Sequence, residues 1–223
     1  DESSIRAVAG AAALGISVGQ STAVSGGLGL SLTINDINNA VRAAAEDSAL
    51  NADGSVFVSA DSQASIQSLA FGLSVNVAVS GSSSAIAANA TGALSFNTID
   101  NTIAATVADT AADGAASLSS GDTVSITADD ESSIDAIATA ASASISGTTS
   151  AASVSVGIGL AMAHNRIDKD VTASIDGVSS VRTDGHDVVI SATDASDINA
   201  ATIAAAVSVA VGSGTSVGIA GGA

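Results

Sequence analysis

Cysteine, proline, tryptophan and tyrosine are all absent from the 223 residues. The lack of cysteine excludes a disulfide framework and thiol chemistry. The lack of proline, with a hydrophobic fraction of 47%, argues against a disordered linker, which is usually proline-rich and poor in Val and Ile. Bulky core residues are scarce too: three phenylalanines (Phe57, Phe71, Phe96) and one methionine (Met162). Protein interiors are packed to crystal-like density, so a core here must be filled by Ala, Val, Ser, Gly and some Ile. Small side chains imply thin layers with backbones close together, as in silk-like sheets and narrow β-solenoids. Basic residues are the last shortage. Five Lys and Arg stand against 22 Asp and Glu, for a net charge of −17. No basic patch can neutralise phosphates, which excludes nucleic acid as a partner, and an anionic membrane surface would repel the chain. Strong acidity keeps a long β-array soluble.

What is present is repetition. An Asn-x-Ile box begins at Asn35, Asn97 and Asn165, at spacings of 62 and 68 residues. A β-rich box reads Val56-Phe57-Val58-Ser59-Ala60, then Val124-Ser125-Ile126-Thr127-Ala128, then Val188-Val189-Ile190-Ser191-Ala192. A third marker is Ser4-Ile5, Ser65-Ile66, Ser133-Ile134 and Asp197-Ile198. Three markers in one order, recurring about every 64 residues, are the mark of a stacked, quasi-one-dimensional architecture. They predict an all-β fold, a repetitive β-solenoid or stacked-sheet rod. The repeats run 1–60 (entered mid-array), 61–128, 129–192 and, partially, 193–223. Because residue 1 falls inside a repeat and no signal peptide precedes it, the chain is expected to be part of a longer protein.

Charge follows the same period. Residues 7–35, 62–99, 136–165 and 198–223 contain no Asp, Glu, Lys or Arg, and acidic zones lie between them. Each uncharged block reads as a β-like run, a small polar turn such as Gly19-Gln20-Ser21-Thr22 or Ser80-Gly81-Ser82-Ser83-Ser84, and a second run. The runs alternate branched apolar residues with Ser, Gly or Ala, the period of a strand. The branched parity is expected to face a core and the small parity another layer. The acidic halves read as short strands joined by turns at Asp53-Gly54, Gly121-Asp122 and Asp184-Gly185. Alanine-rich stretches at 41–49 and 198–206 leave short helices open by propensity. A spanning helix needs about 20 apolar residues, and the uncharged blocks are broken by turns and lack flanking Lys or Arg. A transmembrane barrel normally carries aromatic girdles. No membrane insertion is therefore expected.

Three sets of residues are candidate sites. Asn35, Asn97 and Asn165 occupy one place in successive repeats, where amides can bond to the amides above and below as an Asn ladder. A ladder or turn role is favoured over a ligand contact. The acidic residues Asp129, Asp130, Glu131, Asp184 and Asp187, with Asp36, Asp100 and Asp168, are placed at turns. Calcium takes six to eight oxygen ligands of this kind, so Ca2+ is a candidate ligand of the first five, although neither a calcium nonapeptide nor an EF-hand loop occurs. His164 and His186 do not recur between repeats, and no nucleophile elbow, P-loop or dinucleotide fingerprint is present. No enzyme is expected.

The acidic Ser-Ile start, the Ala/Ser/Val runs, the Asn-x-Ile box and the closing Val-x-Ile-Ser-Ala resemble the repeat regions of giant bacterial surface proteins of the filamentous-haemagglutinin-like and RTX-associated adhesin type. The resemblance spans the chain. It implies secretion to the cell surface, a β-solenoid or stacked-sheet stalk, and a role in attachment or an extracellular fibre. It carries over no functional residues. The expected partners are adjoining repeats or further copies of the chain. The alternative reading is a calcium- or partner-binding repeat module of a large secreted adhesin or toxin.

Overall fold

A computed structural model describes residues 1–111 and 114–223. Its strands come in sets of four, one set per turn of the chain. The first set is β1 (Ser4–Gly19), β2 (Ala23–Glu46), β3 (Ala49–Ala52) and β4 (Val56–Ser62). The second is β5 (Ser65–Ser80), β6 (Ala85–Ala108), β7 (Ser117–Ser120) and β8 (Val124–Asp130), and the third β9 (Ser133–Thr148), β10 (Ser153–Asp176), β11 (Val181–Thr183) and β12 (Val188–Asp194). A fourth set holds β13 (Asp197–Val211) and β14 (Ser216–Gly222). Equivalent strands pair in parallel, giving sheets ordered β1-β5-β9-β13, β14-β10-β6-β2, β11-β7-β3 and β12-β8-β4. The molecule is thus a parallel β-solenoid, all-β among the described residues.

Like pairs with like. Ser4 lies beside Ser65, Ser65 beside Ser133 and Ser133 beside Asp197. Asn35 lies beside Asn97 and Asn97 beside Asn165. Val56 lies beside Val124 and Val124 beside Val188. The boundaries after residues 60, 128 and 192 fall inside β4, β8 and β12, two residues before each strand ends. The Asp-Gly turns join the third strand of each set to the fourth. The alanine-rich stretches are not helical: they lie largely in β2 and β13, where ladder pairing on neighbouring strands overrides local propensity.

Each coil is wide. A 24-residue strand covers up to about 80 Å, whereas four stacked strands rise about 19 Å along the axis. One half of the coil is a slab in which the first strand folds back on the first part of the second. The other half is broader, where the rest of the second strand meets the third and fourth. Ile103, Val107, Leu118, Val124 and Ile126 fill that broad half. The slab is filled by Ala70, Ala93, Ala138, Ala140 and Ala161.

The slab reverses the expected parity. Its interior is the small-residue face, and Leu, Ile and Val point outward: on the central strands Leu73 is 45% exposed, Ile145 42% and Leu160 46%. The reason is the spacing of the sheets. A Cβ on Gly72 would meet the Gly92 carbonyl oxygen of the opposing sheet at 2.8 Å, and one on Gly159 would meet the Ala205 carbonyl at 2.9 Å. Sheets in near backbone contact admit only Gly, Ala, Ser and a few folded-back Asn and Thr. Overpacking of such an interior costs about 1–3 kcal/mol or more. Ala138→Leu is therefore expected to lower the unfolding free energy by that amount, read as a fall in the urea midpoint, with Ile137→Leu on the outer face leaving it unchanged. Equal effects of the two changes would show that the layers are not so closely opposed.

Candidate functional site

The slab interior is polar as well as small, and its polar groups bond across the layers. Asn89 Nδ2 donates to the carbonyls of Ala143 (2.7 Å) and Ser74 (3.1 Å). Thr91 donates to the Ala141 carbonyl (3.1 Å) and Ser144 to that of Ala87 (2.9 Å). The hydroxyls of Thr33, Ser68 and Ser95 form a chain at 2.7 and 2.8 Å. The hydroxyls of Ser31, Ser74 and Ser142 are buried without such a partner.

The Asn ladder forms where the slab joins the broad half. Asn35 Nδ2 donates to Asn97 Oδ1 (2.7 Å), and Asn97 Nδ2 donates to Asn165 Oδ1 (2.6 Å) and to the Ser95 hydroxyl (3.0 Å). Asn97 is 1% exposed. The boxes lie inside β2, β6 and β10 rather than in turns, and the inward parity of each strand aims the amides along the solenoid axis, one coil apart.

Four residues further on, Asn39, Asn101 and Lys169 share a second rung. They meet the start of the connection between the fourth strand and the next coil. Asn101 Nδ2 donates to Asp130 Oδ1 (3.0 Å) and to the Ser132 hydroxyl (2.9 Å), which itself donates to Asp130 Oδ1 (2.9 Å). Lys169 Nζ stands 3.3 Å from Asp130 Oδ2, with the two side chains 8% and 0% exposed. The ammonium also contacts Asp194 Oδ1 and the Ser196 hydroxyl. Sequence reading missed this ion pair. The available signal was a paired departure from the repeat: lysine replaces asparagine at one rung, and aspartates replace Ser62 at positions 130 and 194 of the rung opposite.

The acidic residues singled out for calcium are not gathered. Asp129 points outward from β8, whereas Asp130 points inward and is committed to Asn101, Ser132 and Lys169. A strand sends successive side chains to opposite faces, so this adjacent pair cannot chelate one ion. Glu131 lies in the following connection, and Asp184 and Asp187 sit in the turn between β11 and β12. Among the described residues no group of three or more His, Cys, Asp or Glu is placed to hold a metal ion. Asp36, Asp100 and Asp168 also differ from expectation, lying on the outer faces of β2, β6 and β10 rather than in turns.

Two aspartates act as staples between coils. Asp47, with left-handed backbone (φ 50°), accepts from the Thr110 hydroxyl (2.6 Å), the Ala111 amide (3.0 Å) and the Thr110 amide (2.6 Å). These bonds, the Thr110 hydroxyl foremost, hold its carboxyl below the usual carboxylate range. Bonding from the Ser55 hydroxyl (3.0 Å) does the same at Asp122, helped by His186 at 3.1 Å. Because both values are lowered on folding, the stability they contribute is present above the ordinary carboxylate pKa and is lost as pH falls through the lowered values. His164 lies apart, on the outer face of β10, with its ring 6.2 Å from that of Phe96.

No protein-family model, curated protein or solved structure matches the chain.

Proposed function

We propose that this chain is a structural segment of a longer array, an extracellular or cell-surface bacterial filament, sheath or adhesin stalk that acts through strand stacking and end-to-end assembly. The observation that carries the reading is the parallel in-register pairing of equivalent strands in all four sheets. Such a stack has no closing geometry along its axis. The outer edges of β1 to β4 on one side, and of β11 to β14 on the other, present unpaired backbone groups that template further strands. Each of the three complete coils carries the same small-residue slab and amide rung, so an adjoining coil continues both. The polar spine fixes register, because a slip of one residue would turn every Asn out of the interior. Adjoining coils can belong to the same chain or to another copy. The acidic outer residues of the broad half keep such an array apart from its neighbours.

The test is electron microscopy and sedimentation of the chain alone and of a fusion carrying a polar capping domain over β13 and β14. Filaments with a strand spacing of about 4.8 Å along their axis, abolished by the cap, are expected. Discrete single particles at high protein concentration, or filaments indifferent to the cap, would overturn the reading.

A further inference from the structure

The slab is built inside out for a protein in water. On the β1-β5-β9-β13 sheet the outer face carries six successive apolar rungs, beginning at Val8, Leu69 and Ile137 and ending at Val18 and Val79. On the β2-β6-β10-β14 sheet the outer face carries six more, from Val24, Ile86 and Val154 to Ile34 and Phe96. Thr139 and His164 are the polar exceptions, and His164 sits on the last rung. Each band runs ten residues along the strand, about 33 Å, close to the roughly 30 Å hydrocarbon thickness of a bilayer. The bands lie back to back. Just below them the charged and polar residues begin on both sheets together, with Arg6, Gln67 and Asp135 on one and Asp36 and Arg166 on the other. Above them the hairpin tips hold Gly, Ser, Thr, Gln and Ala and no charge.

From this we infer that the slab is immersed in the hydrocarbon interior of a lipid bilayer, with its strands crossing the membrane and the acidic broad half standing in water on one side. Four observations favour lipid over a second copy of the chain. The band height matches the bilayer. Both faces are apolar, so a partner slab would cover one and leave the other. The interior carries hydrogen-bonded Asn, Thr and Ser, the groups that water would otherwise hold, so polarity is reversed on both sides of each sheet. The uncharged tips can cross the hydrocarbon without carrying a charge through it. In water each band would expose about 600 Å² of contiguous apolar surface, at the upper end for a monomer. Backbone groups in lipid must be satisfied internally, and the ladders do this between coils. The outermost edges need an adjoining coil, and in that respect the inference rests on the stacking reading. The sequence-based expectation of no insertion rested on the turns that break the uncharged blocks, on missing flanking Lys or Arg and on missing aromatic girdles, which are criteria for spanning helices and closed barrels rather than for a slab of this kind.

The natural absence of tryptophan makes the test direct. Leu160→Trp and Thr172→Trp place one emitter in the band and one beyond it on the same strand. Each variant is exchanged from detergent into vesicles of zwitterionic phosphatidylcholine, with and without bromine on the acyl chains. Flotation with the vesicles, blue-shifted emission quenched by bromine only for Leu160→Trp, and infrared dichroism placing the strands near the bilayer normal are expected. Leu160→Lys should weaken vesicle partitioning by about thirtyfold or more, while Thr172→Lys leaves it unchanged and both keep their β-sheet circular dichroism. Equal quenching at the two positions, or protein left in the aqueous fraction, overturns the inference. Lipid-free assemblies with a buried Leu160→Trp would assign the bands to a second copy instead and likewise overturn it. Filaments that form without entering vesicles would leave the stacking reading standing.

Discussion

Replacing Lys169 with methionine is expected to destabilise the chain by about 3–5 kcal/mol, the range for leaving a buried charge without its partner. Asp130 has no exposed side-chain surface, and Lys169 is the cation beside it. Asn101 and Ser132 both bond to Oδ1, so the ammonium is the group that answers Oδ2. Methionine keeps the length and apolar stem of lysine, which isolates the charge. The measurement is the urea midpoint, with the thermal midpoint as a second reading. A second substitution sharpens it. Asp130→Asn added to Lys169→Met removes the stranded charge and should recover most of the loss, because an isosteric neutral site needs no counter-ion. A loss below about 1 kcal/mol, the range of exposed pairs, would show that water reaches the pair.

Asn97→Ala is the second large effect, about 2–4 kcal/mol. The middle amide of the ladder serves two neighbours. Its removal strands the Asn35 amide donor and the Asn165 carbonyl, and an unsatisfied buried polar group costs about 1–3 kcal/mol. The Ser95 hydroxyl loses a donor as well. Asn165→Ala, which touches one neighbour and sits in a half-buried position, should cost about half as much. Asn97→Asp should match or exceed the alanine change, since a carboxylate cannot donate to Asn165 Oδ1. Thermal melts of the three variants check the order. No change with Asn97→Ala would remove the ladder as a source of stability and leave stacking to the backbone alone.

Much of this architecture was legible because a solenoid writes itself into the sequence as recurrence. Equivalent residues stack, so Asn35, Asn97 and Asn165 announce a common environment before any coordinate is known. The Val, Ile and Ser boxes and the Asp-Gly turns are read in the same way. The Lys169–Asp130 pair was missed because its two members lie on different strands of different coils, and its one signal is a departure from the repeat rather than the repeat itself.

By itself, then, the sequence determined the strand character, the order of the markers that stack, the polar turns and the division into uncharged and acidic halves. These depend on local alternation and on like residues pairing with like, both of which are periodic in the chain. Only the tertiary structure decided which face of the slab is the inside. Alternation defines two faces without saying which is buried, and here both are free of charge. The choice falls to the distance between sheets: backbones in near contact leave room for Gly, Ala, Ser and a few Asn and Thr, and the branched side chains are turned outward as a consequence. The same close approach brings Asn89, Thr91 and Ser144 within reach of the opposing carbonyls, so the polar interior and the apolar exterior have one physical cause.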